Sequence, residues 1–361
     1  QMCIRDSCRK GGEGLMDEVK IFKVTSNPIL RTERGTRQIM LDVIIGLLPA
    51  LAVAVYMFGA KVVMLLAVSI VSCVFFEWGY RKLMKKNTTV GDLSAVVTAI
   101  LLVCVLPSEA KWWMVVIGAF FSVVVVKQVY GGIGKNFLNP ALAGRAFLTA
   151  AYAGYMTVWA VPAALSGSVD AATMATPLSY LYNGQAMPEY LSLGNLFLGI
   201  RPGSIGEIST LALLVGGLWL IARKVISWRI PVSFIGSVAV LCLIFGHEGY
   251  GRLDWTLLNL CSGGLVLGAF FMATDYSTSP VTLKGQLVFG LGCGVLTVLI
   301  RYFGSYPEGV SYAILIMNCC TWGVDKLTRP RQFGVSAEDV KAAKAAKKAA
   351  KAKAKEGAAN G

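Results

Sequence analysis

The sequence predicts an all-α membrane protein that crosses the bilayer about ten times. The mean hydropathy is +0.63. Of the 361 residues, 55% are hydrophobic and only 15% are charged, a composition too apolar for a soluble globule. The long apolar stretches also lack the strict alternation of a membrane β-barrel. Only helices and closed barrels satisfy the backbone in lipid, so helices are the prediction.

Ten apolar runs support this prediction, separated by polar or glycine-rich connections. They are residues 39–58, 62–80, 93–106 and 112–126, a fifth run ending near 160, and then 209–221, 230–245, 256–272, 286–300 and 310–324. The third and eighth runs are short or interrupted by polar residues, and each lies third in its half of five. Interrupted runs at matching positions predict two five-helix inverted repeats with broken third and eighth helices.

The remaining segments differ in composition from these runs. Residues 1–15 carry two cysteines and mixed charges without the apolar core of a signal peptide, and Met16 is a better natural start. We therefore interpret residues 1–15 as a non-native flank. The predicted organisation is a cytoplasmic arm at 16–38, a first transmembrane half at 39–160, an outer-side loop at 161–208, a second half at 209–326 and a Lys/Ala-rich cytoplasmic tail at 327–361.

The net charge of +14 lies mainly in the tail and in short loops. Basic loops mark the cytoplasmic side of a membrane protein, so both termini are predicted to be cytoplasmic and the 161–208 loop to face outward from the cell (inner) membrane. The lysine-rich tail favours the anionic headgroups of membrane lipids. This distribution does not indicate nucleic-acid binding.

Cysteine and histidine usage argues against a metal site. The nine cysteines include no CxxC pair, and most lie inside apolar runs, where cysteine is usually a small buried hydrophobe. His247 is the single histidine, so this chain alone offers no histidine-based metal or haem site. We predict no metal ligands and no complete active site, hence no catalytic residue, on this chain.

One polar loop stands out between the two halves. Asp170, Thr173, Ala175 and Thr176 follow the spacing Asp-x-x-Thr-x-Ala-Thr, which resembles the flavinylation motif whose last threonine carries FMN through a phosphoester bond. The resemblance implies covalent FMN on Thr176, with the other three residues as determinants for a separate flavin transferase. Met174 departs from the pattern, since many flavinylated carriers have glycine there. Without the resemblance, Thr176 would be an ordinary loop threonine before proline.

Further motifs carry a wider resemblance. They include Asn27-Pro28-Ile29, Thr36-Arg37-Gln38-Ile39-Met40, Gly91-Asp92-Leu93-Ser94-Ala95, Leu106-Pro107, Lys127-Gln128-Val129-Tyr130-Gly131-Gly132, Asn139-Pro140-Ala141, Gly206-Glu207-Ile208-Ser209-Thr210, Phe271-Met272-Ala273-Thr274-Asp275-Tyr276-Ser277-Thr278-Ser279-Pro280 and Tyr306-Pro307-Glu308-Gly309-Val310. Together they resemble the NqrB/RnfD family over roughly residues 24–326. The compact N-terminal arm and the Thr-Asp-x-x-Thr-Ser-Pro ending favour the RnfD branch.

The RnfD resemblance implies a membrane subunit that relays electrons between reduced ferredoxin and NAD⁺ in a multi-subunit complex that transports Na⁺ or H⁺. It leaves open a second, non-covalent flavin (riboflavin). The ferredoxin and NAD⁺ sites would then lie on partner subunits. Two alternatives stay open: the NqrB-type subunit of a Na⁺-translocating NADH:quinone reductase, and a stand-alone secondary transporter or channel.

Three acids are the best candidates for an ion path: Asp92 before the third run, Glu207 before the sixth and Asp275 at the break of the eighth. Each could instead cap or stabilise a helix end. Three other ionisable residues are predicted to be interfacial anchors: Glu77, Lys127 and Lys284.

Two small-residue patterns predict helix packing or helix starts. The GxxxG spacing of Gly264/Gly268 and of Gly290/Gly294 predicts close helix contacts rather than ligand binding. Asn139-Pro140 predicts a helix start, since proline suits the first helical turn. The preceding stretch 131–136 is no phosphate loop, and it is either a flexible basic connection or a loop facing a flavin or a partner.

Overall fold

A computed structural model describes residues 35–162, 173–182, 187–188, 191–246, 250–304 and 308–330. Within these ranges the chain is helical, and its β pairing is limited to two isolated bridges. The helices are α1 (Thr36–Phe58), α2 (Ala60–Leu83), α3 (Ser94–Cys104), α4 (Trp112–Gln128), α5 (Pro140–Ala151), α6 (Ala153–Met156), α7 (Pro177–Tyr182), α8 (Leu193–Leu198), α9 (Thr210–Ala222), α10 (Arg229–Phe245), α11 (Arg252–Cys261), α12 (Leu265–Met272), α13 (Leu283–Phe303) and α14 (Val310–Thr328).

Several helices are suited to a bilayer. By length and composition, α1, α2 and α13 can each cross a membrane, and the bent pair α11–α12 adds a fourth when it is counted as one span. Four shorter apolar helices, α3, α4, α9 and α10, accompany them. The predicted fold class, an all-α membrane protein, is therefore confirmed for the described residues. The count of ten spans stays a prediction.

The helix contacts follow one pattern in both parts of the chain. In the first part, α2 packs against α3 and α4; in the second, α10 packs against α11 and α13. Among the contacts that join the parts are those of α1 with α9 and of α5 with α14. The α1–α9 crossing is close, because a Cβ at Gly216 would overlap the backbone of Gly46.

The eighth predicted span is broken between Cys261 and Leu265, whereas the predicted break at Asp275 lies after the end of α12. Helix α11 ends at Cys261 and α12 begins at Leu265 with a 62° bend. At the break, Gly263 has φ +68°, a conformation that glycine adopts without steric cost. Helix α12 then finishes as a π-helix over Gly268–Met272.

The third predicted span is the short helix α3, 11 residues long. A 3₁₀ turn at Val90–Asp92 precedes it, and Leu93 at its start has φ +60°. The fifth span is shorter than predicted. Helix α5 ends at Ala151, because Tyr152 leaves helical geometry at φ −134°, ψ +45°.

The predicted helix start at Asn139-Pro140 is confirmed. The Asn139 side chain accepts hydrogen bonds from the backbone N–H groups of Ala141 and Leu142, and Pro140 occupies the first turn. Ser209 caps α9 in the same way, through the N–H of Ala212. These caps satisfy backbone donors at the helix starts that would otherwise lack partners.

The two GxxxG pairs have different roles. Gly290 and Gly294 face Ser233 and Ser237 on α10 with no room for a Cβ, and therefore permit the predicted close packing of α13 on α10. Gly268 likewise lies against α14. Gly264 faces the carboxylate of Glu207 instead, so the prediction of helix packing is wrong at this position.

Candidate functional site

Thr176 lies at the start of the short helix α7. Its hydroxyl donates to Ser179 Oγ and accepts the Ser179 backbone N–H, each at 3.3 Å, so the free hydroxyl caps the helix. The side chain is 6% exposed, whereas Thr173 and Ala175 of the same motif are exposed. Asp170 lies outside the described residues.

The motif is held to the end of the first half by backbone contacts. Thr173 forms an isolated antiparallel bridge with Ala160, and the N–H of Met174 donates to the carbonyl of Trp159 at 3.0 Å. This pairing carries the chain from the exposed Thr173 into the protein at Thr176.

Thr176 borders a cavity of about 500 Å³. Its lining is mixed: apolar surface from Met156, Trp159 and Met174, hydroxyl groups from the α5 and α14 regions, and the charged side chains of Arg145 and Glu308. Small-molecule sites typically enclose roughly 300–1,000 Å³ of mostly apolar surface with a few oriented polar groups. The size and lining of this cavity therefore fit a flavin attached to Thr176.

Arg145 on α5 is the central charge beside this cavity. Its Nη1 donates to Glu207 Oε1 at 3.1 Å and to Ser311 Oγ at 3.3 Å, and its Nη2 is paired with Glu308. The arginine side chain is only 10% exposed, and that of Glu207 5%. We call Arg145, Glu207, Glu308 and Arg201 the Arg145 cluster.

Arg201 joins the cluster to the broken helix. Its guanidinium donates to the carbonyls of Cys261 and Gly263 at the break, and to those of Glu207 and Ile208 before α9. Carbonyls at the C-terminal end of a half-helix carry partial negative charge and often bind cations. Here a guanidinium already occupies these carbonyls.

Arg301 on α13 also donates hydrogen bonds to α11 near the break. Its Nη1 donates to the carbonyl of Asn259 at 2.9 Å and to the Asn259 side chain at 3.3 Å. Tyr182, at the end of α7, donates to the same side-chain oxygen at 2.8 Å. Helix α7, which begins directly after Thr176, is thereby connected to the broken helix.

Glu207 is the acid of the cluster with a shifted pKa. Burial, reinforced by repulsion from Glu308, raises the pKa of Glu207 from 4.5 to about 7, while Arg145 and Arg201 act in the opposite direction. Burial lowers the pKa of Arg201 to about 10, against the pull of Glu207. Glu207 is a contact of Arg145 rather than a cap of α9, a role that Ser209 fills.

A second cavity, of about 160 Å³, lies between α1, α3, α4, α9 and α12. Asp275 borders it, as do Lys127 and Ser94, and the cavity shares no lining residue with the one at Thr176. Asn136, 7% exposed, has a side-chain oxygen without a hydrogen-bond partner in the described structure. Within the described residues, this oxygen is therefore a polar atom of the cavity lining that could accept a hydrogen bond from a ligand.

The three predicted ion-path acids do not form one site. Glu207 belongs to the Arg145 cluster, and Asp275 borders the other cavity. The Asp275 carboxylate accepts hydrogen bonds from Ser277 and Thr278, while burial raises its pKa. Asp92 is half-buried in the 3₁₀ turn before α3 and borders neither cavity. Among the described residues, no group of three or more potential ligands could hold a metal.

The prediction that Glu77 and Lys127 are interfacial anchors is wrong. They form a buried ion pair at 2.7 Å, with side-chain exposures of 1% and 2%. Lys127 also donates to Ser94 Oγ at 2.7 Å, and Thr89 donates to the second Glu77 oxygen at 2.5 Å. The pair links α2 to the π-helical end of α4. Lys284, in contrast, is exposed in the first turn of α13.

Sequence reasoning missed Arg145, Glu308, Arg201 and Arg301 as members of the site. One signal was available: Arg145 and Arg301 lie within or at the end of predicted apolar runs, and ionisable residues there are functional candidates by default. Nothing local in the sequence indicates which carboxylates or carbonyls they contact.

Comparison with known proteins gives a consistent result. A sequence profile of the NQR2, RnfD, RnfE family matches residues 23–334. The chain is 47% identical over 324 residues (89% of this chain, 98% of the relative) to the D subunit of the Na⁺-translocating ferredoxin:NAD⁺ oxidoreductase complex of Acetobacterium woodii. It is 42% identical over 321 residues (87% and 96%) to the D subunit of the proton-translocating ferredoxin:NAD⁺ oxidoreductase complex of Clostridium ljungdahlii.

A third relative widens the range of organisms. The D subunit of the ion-translocating oxidoreductase complex of Actinobacillus succinogenes is 36% identical over 348 residues (87% of this chain, 98% of the relative). The profile covers most of the chain, and each of these relatives aligns over nearly its whole length. The chain therefore belongs to the NQR2, RnfD, RnfE family.

Proposed function

We propose that this chain is the RnfD-type membrane subunit of an ion-translocating ferredoxin:NAD⁺ oxidoreductase complex, in which it relays electrons through FMN attached covalently to Thr176. The family membership and the names of the relatives support the complex. The observation that carries the flavin is the position of Thr176 on a cavity of about 500 Å³ with apolar surface and one arginine. The chain is one component of a redox-driven translocase and needs its partners for the complete reaction.

A flavin supplies redox chemistry that the side chains of this protein lack. The protein's contribution is to hold the ring, exclude water and set the local charge. Met156, Trp159 and Met174 give the apolar surface, Arg145 gives a positive charge, and Thr176 gives the hydroxyl for attachment. Asp170, Thr173 and Ala175 are proposed as recognition determinants, and Thr173 and Ala175 are exposed as that role requires.

Attachment would form a bond between Thr176 Oγ1 and the phosphorus of a flavin nucleotide. A flavin dinucleotide donor would balance the step: its phosphoanhydride bond breaks, the nucleoside monophosphate leaves, and the hydroxyl proton passes to a base of the flavin transferase. Since Thr176 is 6% exposed and its hydroxyl is hydrogen-bonded to Ser179, we propose that the segment opens for attachment, or is modified before it packs.

The second cavity is the candidate location for the non-covalent flavin (riboflavin). Its favourable features are apolar surface from Phe270 and Phe271 and the partnerless oxygen of Asn136. Its volume of about 160 Å³ is below the roughly 300 Å³ that marks the lower end of small-molecule sites. A flavin there requires side chains to move apart.

We also propose ten spans in two inverted halves. The matching contacts of α2 with α3 and α4, and of α10 with α11 and α13, support the repeat, as do the cross-contacts of α1 with α9 and α5 with α14. With both termini cytoplasmic in the cell inner membrane, the Thr176 loop faces outward. The tail at 327–361 would contact anionic lipids.

The coupling ion stays open between Na⁺ and H⁺, since one relative is named for each ion. Asp92, Glu207 and Asp275 remain candidates for the ion path, and they lie at separate sites in the structure. The guanidinium groups on the carbonyls of the broken helix argue against cation binding at that break.

The test is in-gel flavin fluorescence of the complex purified from a host that contains its flavin transferase. The wild-type band should fluoresce after denaturation, and Thr176→Ala should be dark. The matched control is Thr157→Ala, which removes another hydroxyl from the same cavity and should keep the fluorescence. Mass spectrometry of the Thr176 peptide should show one added FMN.

A dark wild-type band from an assembled, active complex would contradict the proposal and favour a transporter or channel. Fluorescence that persists in Thr176→Ala would place the flavin elsewhere. Assay of the complex with reduced ferredoxin and with NADH plus a quinone separates the proposed reaction from that of the Na⁺-translocating NADH:quinone reductase.

A further inference from the structure

We propose that Arg145 and Glu308 set the reduction potential of the flavin at Thr176 in opposite directions, with Glu207 holding Arg145 in place. This inference rests on the proposed function. Arg145 is the only cationic side chain among the described residues that line the Thr176 cavity, and Glu308 is the only anionic one.

Arg145 is fixed in its position by contacts on several sides. Glu207 and Ser311 accept from Nη1, and Glu308 accepts from Nη2. Glu207 itself packs closely against Gly264, where an added Cβ would overlap its carboxylate. The planar guanidinium therefore borders the cavity in one orientation, as a preorganised charge must.

The environment makes these charges effective. The Arg145 side chain is 10% exposed and that of Glu308 20%, so water screens them less than it screens surface charges. A flavin becomes more negative as it takes up electrons. A fixed positive charge beside it favours the reduced form, and a fixed negative charge favours the oxidised form.

The opposite signs make the inference testable with two single substitutions. Glu308→Gln removes the negative charge with little change in shape, and should increase the ratio of reduced to oxidised flavin at a fixed ambient potential on the order of tenfold. Arg145→Met should decrease this ratio by a similar factor, whereas Arg145→Lys, which keeps the charge, should stay within about threefold of wild type. A tenfold change corresponds to about 30 mV for a two-electron couple.

The measurement is a potentiometric titration of the intact purified complex, followed by flavin absorbance. Subtracting the spectrum of the Thr176→Ala complex isolates the attached flavin from any others. The matched control is Glu109→Gln, which makes the same substitution in the exposed ion pair with Lys61. It should leave the potential unchanged, because surface pairs are screened by water and salt.

Glu308→Gln decides the outcome even if loss of Arg145 prevents assembly. A potential that rises in Glu308→Gln and not in Glu109→Gln supports the inference. A potential unchanged or lowered in Glu308→Gln, with covalent flavin present, overturns it and leaves the proposed function intact. Absence of covalent flavin from the wild-type complex would overturn both.

Discussion

Two buried ionic groups in this protein are built differently. The Glu77–Lys127 pair lies within the first half, and its polar atoms have hydrogen-bond partners there. Lys127 Nζ donates to Glu77 and to Ser94 at 2.7 Å, and Thr89 donates to the second carboxylate oxygen of Glu77. The Arg145 cluster joins α5 to the segments before α9 and before α14, and it opens onto a large cavity.

The difference between the two groups is their charge balance, since Lys127 also borders a cavity, the smaller one of about 160 Å³. One ammonium facing one carboxylate leaves little charge for a ligand, so the first group mainly fixes α2 against α4. In the second group, two carboxylates compete for Arg145 beside space that a cofactor would fill. Buried charges that retain an open side are the ones expected at functional sites.

The largest expected effect comes from breaking the Glu77–Lys127 pair. Lys127→Met leaves the Glu77 carboxylate buried without its cation, which should destabilise the fold by about 3–5 kcal/mol. The thermal transition of the detergent-solubilised complex should fall sharply. Replacing both partners, Glu77→Leu with Lys127→Met, should recover most of this loss, because an apolar pair leaves no uncompensated charge.

The Lys61–Glu109 pair provides the control, since its side chains are 39% and 41% exposed. Lys61→Met should lower stability by less than about 1 kcal/mol, as for other exposed pairs. If the double variant at 77 and 127 were as unstable as the single one, the Glu77–Lys127 pair would have a role beyond fixing these helices.

The sequence was sufficient for features encoded locally. The Asn139 cap, the glycines between α10 and α13 and the presence of a break in the eighth span all follow from a few neighbouring residues. The apolar composition likewise indicated the membrane fold. These predictions succeeded because helix caps, close packing and breaks depend on short-range geometry.

Features that depend on tertiary contacts were not predictable in this way. Lys127 and Glu77 are 50 positions apart, and Arg145 and Glu308 are 163 apart. Run ends are the usual place for interfacial charges, so nothing local distinguished the buried pair from Lys284. Gly264 shared the spacing of a packing motif, although its neighbour in space is a carboxylate from another segment.

A smaller effect tests how tightly the Arg145 cluster is held. Gly264→Ala should force Glu207 away from its position, because the added Cβ overlaps that carboxylate. Overpacking of this kind typically costs about 1–3 kcal/mol. The change should lower the thermal transition and, if Glu207 positions Arg145, should also shift the flavin potential.

Gly236→Ala is the matched control. Gly236 lies in α10, and a Cβ there meets nothing within 4 Å. Alanine is the better helix former by about 1 kcal/mol, so this variant should be neutral or slightly stabilised. Equal losses from both substitutions would show that the contact between Gly264 and Glu207 is not the cause.

The smallest effect is a pH dependence that belongs to the Arg145 cluster. Burial and Glu308 raise the pKa of Glu207 to about 7, against Arg145 and Arg201. The Cys104 thiol on α3 is also near the Glu207 charge. Because the folded state binds the Glu207 proton more tightly than the unfolded state, this group contributes stability at low pH. The contribution is lost as the pH rises through about 7.

Glu207→Gln mimics the protonated acid at every pH and should remove this dependence. Relative to wild type, its thermal transition should therefore rise as the pH is raised from about 5 to about 8, by the equivalent of on the order of 1 kcal/mol. Glu109→Gln on the surface should give a constant difference over the same range. A Glu207→Gln difference that stays constant over this range would mean that Arg145 keeps Glu207 ionised throughout. The cluster would then behave as a closed ion pair, like Glu77 and Lys127.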